Sequence, residues 1–177
     1  EEVHQQCMKE IFLPTVRAME KEGRPFRGCL YFGLMLTEKG PKVIEYNCRF
    51  GDPETQVVLP LLETDLLEVM MACSQGRLAD VEVTFSRKSA CCVVMASGGY
   101  PGSYETGYEI SFGDTGDALV YHAGTKESEG RILTSGGRVL GVTAVEPSLE
   151  QAIHRAYEYV DLISFAGMEY RKDIGRK

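Results

Sequence analysis

The feature that most constrains the fold of this 177-residue chain is a change of texture near Val81. Before it, the sequence reads as helices interrupted by one hairpin. After it, short apolar runs alternate with glycine-rich turns, and only one stretch has a helical period. A chain that switches period in this way is predicted to fold as two units, each with its own core. The boundary is placed at 82/83, giving 1–82 and 83–177. The expected fold class is mixed, α+β or α/β.

In the first part, Val3, Cys7 and Ile11 recur at helical spacing, with Met8, Phe12 and Met19 less regular, so 1–22 is predicted helical. Pro14 is expected to kink or divide that helix, and Gly23 and Pro25 to stop it. "GCLYFGLML" (28–36) reads as a strand buried on both faces, "TEKGP" (37–41) as a turn, and 42–48 as the returning strand of a hairpin. Asp52 followed by Pro53 reads as a helix cap with proline at the first helical position, and Pro60 interrupts that helix. A second helix is expected from Thr64 or Asp65 to Gly76, burying Leu66, Leu67, Met70 and Met71. In the second part, 89–97, 108–112, 118–125, 130–133, 138–145 and 165–170 are expected strands. Ser148 with Gln151 three residues on marks a helix start. Leu149, Ile153, Ala156, Tyr157 and Val160 are its expected buried face.

Charge narrows the function. Nineteen basic residues against twenty-six acidic ones give a net charge of −7. That balance excludes a general nucleic-acid binder, which displaces counterions with a basic face. No apolar run is long enough to span a membrane, and no secretory leader is visible. The six cysteines show no C-x-x-C spacing, and three scattered histidines make no metal cluster. The expectation is free thiols in a reducing cytoplasm.

The stretch "VIEYNCRFGDPETQ" (43–56) carries the chemistry. On a strand, Glu45, Asn47 and Arg49 project to one side and Ile44, Tyr46 and Cys48 to the other, towards a core. Two oxygen donors two residues apart on a rigid strand form one edge of a site for a hard divalent cation. Magnesium suits such an edge, because it shares its remaining positions with water and phosphate. Arg49 offers a planar fork to a phosphate or carboxylate. The competing reading is a solvated sheet face with a helix cap beside it. "SGGYPGS" (97–103) and "SGGR" (135–138) read as turns between strands, with Arg138 a possible phosphate contact.

The string "EYNCRFGDPETQ" closely resembles the signature of the glycinamide ribonucleotide synthetase (phosphoribosylamine–glycine ligase) family of ATP-grasp enzymes. "GLMLTEKGPKVIEYNCRFGDPETQVVLPLL", "VVMASGGYPGSY", "HAGT", "TSGGRVLGVTA" and "FAGMEYRKDIG" resemble the same family in the same order. The resemblance implies the C-terminal part of an ATP-grasp domain, an antiparallel hairpin plus helices, followed by a small β-rich α+β domain. It implies ligation of glycine to 5-phosphoribosylamine with ATP, through a glycyl phosphate. It places Glu45 and Asn47 as ligands of Mg2+ (or Mn2+), and Arg49 and Asp52 at the reacting groups: Arg49 on an anion, Asp52 on an amine. Glu54 is expected in the first turn of a helix. The family's N-terminal lobes have no counterpart here, so the chain alone is expected to be inactive and to depend on those lobes of the same protein. Two alternatives stay open: a different ATP-grasp carboxylate–amine ligase, and a non-catalytic domain that folds separately.

Overall fold

The computed structural model describes residues 2–176. The chain divides into two compact units: 1–51 with 64–83, and 52–63 with 84–177. It passes from the first to the second between Gly51 and Asp52, returns at Thr64, and leaves again after Val83.

The first unit begins with helix α1 (Glu2–Cys7), a π-helical stretch (Met8–Phe12) and helix α2 (Leu13–Lys21). The predicted division of the helix is therefore real, and falls just before Pro14. Proline has no N–H for the i−4 bond, and the N–H of Leu13 reaches back five residues to the Met8 carbonyl. Strands β1 (Tyr31–Thr37) and β2 (Gly40–Asn47) follow as an antiparallel hairpin. Its register shifts between Gly33 and Leu34, which pair with Glu45 and Val43, so Ile44 is the extra residue of a bulge.

That bulge corrects the expected facing of β2. An extra residue breaks the two-residue alternation, and Ile44 is 62% exposed. Tyr46 does turn to the helical segment: its ring lies 5.2 Å from Phe32, whose ring is 4.5 Å from Phe12. It stays half exposed all the same, and Cys48 is exposed beyond the strand end. β1 is likewise not buried on both faces, since Met35 and Leu36 are open to solvent.

In the second unit, helix α3 (Thr55–Val58) continues through a 3-10 turn at Leu59–Leu61. Asp52 does not cap α3. Glu54 holds the N-cap position, without a side-chain cap bond, and the residues from 52 form the turn before it. The Asp52–Pro53 and Tyr100–Pro101 peptides are cis. Back in the first unit, helix α4 (Leu66–Gln75) starts as read: Asp65 accepts from the Glu68 N–H at 3.1 Å, and Gly76 ends the helix with φ 72°. Its buried face was misread. Ala72 is buried and Leu66, Val69 and Cys73 are half-buried, whereas Leu67, Met70 and Met71 are exposed.

The rest of the second unit is built on strand β3 (Ser89–Ser97). β4 (Ser111–Phe112), β5 (Leu119–His122), β6 (Thr125–Ser128), β7 (Arg131–Thr134) and β8 (Arg138–Glu146) follow. Helix α5 (Leu149–Val160) and the short strands β9 (Ile163–Ser164) and β10 (Met168–Glu169) complete it. The main sheet is antiparallel, in the order β10-β3-β8-β5. One face of β3 (Cys91, Val93, Met95) joins Val139, Val142, Ala152, Ala156 and Val160 in the core. Ala152 and Tyr159 are buried where Leu149 was expected to be, and Leu149 is exposed. Ser148 accepts from the Gln151 N–H at 3.3 Å, so the cap is as read.

The expected strand 118–125 is split between β5 and β6 at Ala123–Gly124. Gly124 donates to the Arg138 carbonyl at 2.8 Å and accepts from Ser135 N–H at 2.7 Å. A Cβ on Gly124 would stand 2.6 Å from Gly136 Cα. "HAGT" and "SGGR" are thus two backbones in contact, which only glycine permits.

Candidate functional site

Glu45 and Asn47 lie on the exposed hairpin of the first unit, and their side chains meet. The Asn47 Nδ2 donates to Glu45 Oε1 at 3.0 Å. Turning the Asn47 amide end for end puts its oxygen in that place. Two oxygens so spaced match an octahedral edge, since metal–oxygen distances of about 2.0–2.1 Å put adjacent ligands roughly 2.9 Å apart. One carboxylate and one neutral amide leave a dication with net positive charge, able to attract phosphate oxygens. The pair fits a hard divalent cation. Among the described residues no cluster of three or more His, Cys, Asp or Glu is arranged to hold a metal.

The position of Glu45 depends on its cross-strand partner, which the sequence reading missed. Gly33 pairs with Glu45 at the bulge, and a Cβ on Gly33 would lie 2.8 Å from Glu45 Cγ. The Glu45 side chain therefore lies across the space that Gly33 leaves open. A glycine inside an apolar strand pattern is the local signal for such an approach.

Arg49 does not share the strand with this pair. β2 ends at Asn47, and the Arg49 Nη1 donates to the neighbouring Phe50 carbonyl at 2.9 Å. Its guanidinium keeps further N–H groups for an anion. Asp52 belongs to the second unit, where it is held from two sides. Gln56 Nε2 donates to Asp52 Oδ1 at 2.9 Å. Arg138 contacts Asp52 Oδ2 at 3.1 Å through Nη2 and donates from Nη1 to the Asp52 carbonyl at 2.8 Å. Arg138 was read as a turn residue or phosphate contact; it is the first residue of β8, with its guanidinium on Asp52.

A cavity of about 470 Å³ opens beside this ion pair. It lies on the face of β3 opposite the core, where Cys92, Val94 and Ala96 line it with Pro53, Tyr100 and Arg138. Burial pushes the Cys92 thiol above its ordinary value. Glu169 and Arg171 stand at the same cavity, and Arg171 is paired with Asp173 at 2.8 Å.

The exposed hairpin that sets a carboxylate beside an amide lies within an ATP-grasp domain. Residues 1–55 match the family described as phosphoribosylglycinamide synthetase, ATP-grasp (A) domain, and residues 90–177 match phosphoribosylglycinamide synthetase, C domain. The chain belongs to the phosphoribosylglycinamide synthetase family. A phosphoribosylamine–glycine ligase of Caldanaerobacter subterraneus is 50% identical over 167 residues, which is 94% of this chain and 40% of that protein. The crystal structure of phosphoribosylamine–glycine ligase from Thermotoga maritima superposes with a TM-score of 0.88 at 35% identity, covering 99% of this chain and 44% of that one. A biotin carboxylase domain from Hydrogenobacter thermophilus shares the fold at 17% identity, with a TM-score of 0.62 over 88% of this chain and 35% of that one. The chain thus spans about two fifths of the length of the phosphoribosylamine–glycine ligases it matches. Among the described residues no helix is long and apolar enough to cross a membrane.

Proposed function

We propose that this chain supplies the cation-binding hairpin and the C-terminal domain of a ligase that joins glycine to 5-phosphoribosylamine at the expense of ATP, in cytoplasmic de novo purine synthesis. Residues 1–82 are the end of its ATP-grasp domain and 83–177 its C-terminal domain. The observation that carries this reading is 50% identity with such a ligase over 94% of the chain.

The reaction has two steps. A glycine carboxylate oxygen attacks the γ-phosphorus of ATP, and ADP leaves. The amine nitrogen then attacks the acyl carbon of glycyl phosphate, phosphate leaves with the cleaved C–O bond, and the nitrogen loses a proton. Glu45 and Asn47 hold Mg2+ (or Mn2+), which when bound offsets the charge of the phosphate oxygens. Arg49 pairs through its free N–H groups with an anionic oxygen of the acyl phosphate or carboxylate. Asp52 accepts a hydrogen bond from the attacking amine and so orients it. The chain covers 40% of a related ligase, and the rest of the ATP-grasp domain in the longer protein supplies the nucleotide pocket.

The test is ATP-dependent phosphate release with glycine and phosphoribosylamine, comparing this chain with the protein extended to the full length of its relatives. Turnover is expected only in the longer protein, and Glu45→Ala there abolishes it with little loss of stability. Turnover in neither refutes the ligase reading. A stability loss in Glu45→Ala with activity retained would make the charged face a merely solvated one.

A further inference from the structure

Asp52 has a support that its motif does not reveal. Arg138, 86 residues away in sequence, reaches it with two nitrogens of one planar guanidinium. One nitrogen meets the backbone carbonyl of Asp52 at 2.8 Å, the other its Oδ2 at 3.1 Å. Gripping the main chain and the side chain of the same residue fixes the carboxylate relative to its own peptide plane. Gln56 takes the other carboxylate oxygen at 2.9 Å. Gln56 is itself packed: its Cγ lies 3.7 Å from where a Gly141 Cβ would stand, and its Oε1 is buried. Arg138 is anchored as the start of β8, paired to Ala96 and bonded through its carbonyl to Gly124. Both supports therefore stand on ordered elements of the second unit.

A carboxylate offers about four lone-pair sites. Two are taken by Arg138 and Gln56, and these two contacts fix the orientation of the carboxylate. We propose that Arg138, assisted by Gln56, is a positioning residue for Asp52 in the amine-transfer step. This rests on the proposed role of Asp52 towards the amine. A lysine at 138 cannot reproduce the grip, because an ammonium is a point charge and not a fork that spans two acceptors.

The test uses the full-length ligase with Arg138→Met, Arg138→Lys, Asp52→Asn and the double variant Asp52→Asn/Arg138→Met. Arg138→Met is expected to lose about 10- to 100-fold in kcat/KM for the amine, the size of one lost charge-assisted hydrogen bond to a carboxylate. Arg138→Lys falls between wild type and Arg138→Met. The double variant is no worse than Asp52→Asn alone, because both act through one carboxylate. KM for ATP, and glycine-dependent exchange between ADP and ATP, stay at the wild-type level, since those report the first step. Wild-type amine kinetics in Arg138→Met overturn the proposal. So does an equal fall in every parameter together with a lower melting temperature.

A second measurement separates this inference from the ligase reading. In the 177-residue chain, Arg138→Met is expected to speed amide exchange at Gln56 and Val57, whose N–H groups bond to the Pro53 and Glu54 carbonyls. Faster exchange with an inactive full-length wild type leaves the clamp standing and removes the ligase role. Unchanged exchange overturns the clamp itself.

Discussion

Gly33→Ala is the most informative single change, because it acts on Glu45 without touching it chemically. The backbone at Gly33 is not in the left-handed region, so alanine can adopt it. In a strand interior, alanine in place of glycine gains about 0.5–1 kcal/mol of backbone entropy. The new Cβ, however, would stand 2.8 Å from Glu45 Cγ. Carbon atoms prefer separations of about 3.5–4.0 Å, so Glu45 must move by roughly 1 Å. A 30° departure from a rotamer costs about 0.5–1.5 kcal/mol. That cost falls on the cation-binding arrangement, and the entropy gain offsets most of it in the stability of the fold. Half-maximal turnover of the full-length enzyme should then need about twofold to tenfold more metal. The melting temperature of the 177-residue chain should hardly move. Calorimetric metal titration and thermal melting check the two halves. Wild-type metal dependence in Gly33→Ala would refute the reasoning, as would a large drop in melting temperature with metal dependence unchanged.

Other expectations concern the fold. Met95 is fully buried in the core of the second unit, and Met95→Ala should cost about 2–5 kcal/mol in urea unfolding. Asp65→Ala removes the cap of α4 and should cost about 1 kcal/mol. Leu67→Gln on the same helix should stay within about 0.5 kcal/mol, because Leu67 is 65% exposed; a larger loss would show that this face is covered. A hydrogen bond from the Tyr159 hydroxyl holds the Asp117 carboxyl below the ordinary aspartate value, helped by Arg155. A depressed carboxylate contributes stability that is present above its unfolded pKa and is lost as pH falls through its folded pKa. Tyr159→Phe should therefore raise the Asp117 titration seen by NMR and flatten the acid limb of the melting-temperature profile.

The apolar faces show why a one-dimensional reading stops short. The spacing of Leu67, Met70 and Met71 identifies an apolar stripe, and periodicity cannot say whether anything covers it. The same holds for Ile44, where a single bulge removes the residue from the alternation on which the facing argument rests. At the candidate site, Glu45 and Asn47 were legible because two residues on one strand are neighbours by geometry alone. Arg49 was placed on the same strand face because the strand was expected to run further than Asn47.

Local chemistry, then, was written in the sequence: the caps at Asp65 and Ser148, the break before Pro14, the hairpin, the mixed class and the carboxylate–amide pair. Each depends on atoms within a few residues of one another, where backbone geometry admits few outcomes. The tertiary structure alone decided the contact of Gly124 with Gly136, the space that Gly33 leaves for Glu45, and the grip of Arg138 on Asp52. These pairings join elements whose separation along the chain has no period. They arise only when packing brings two backbones, or a guanidinium and a carboxylate, to the same place.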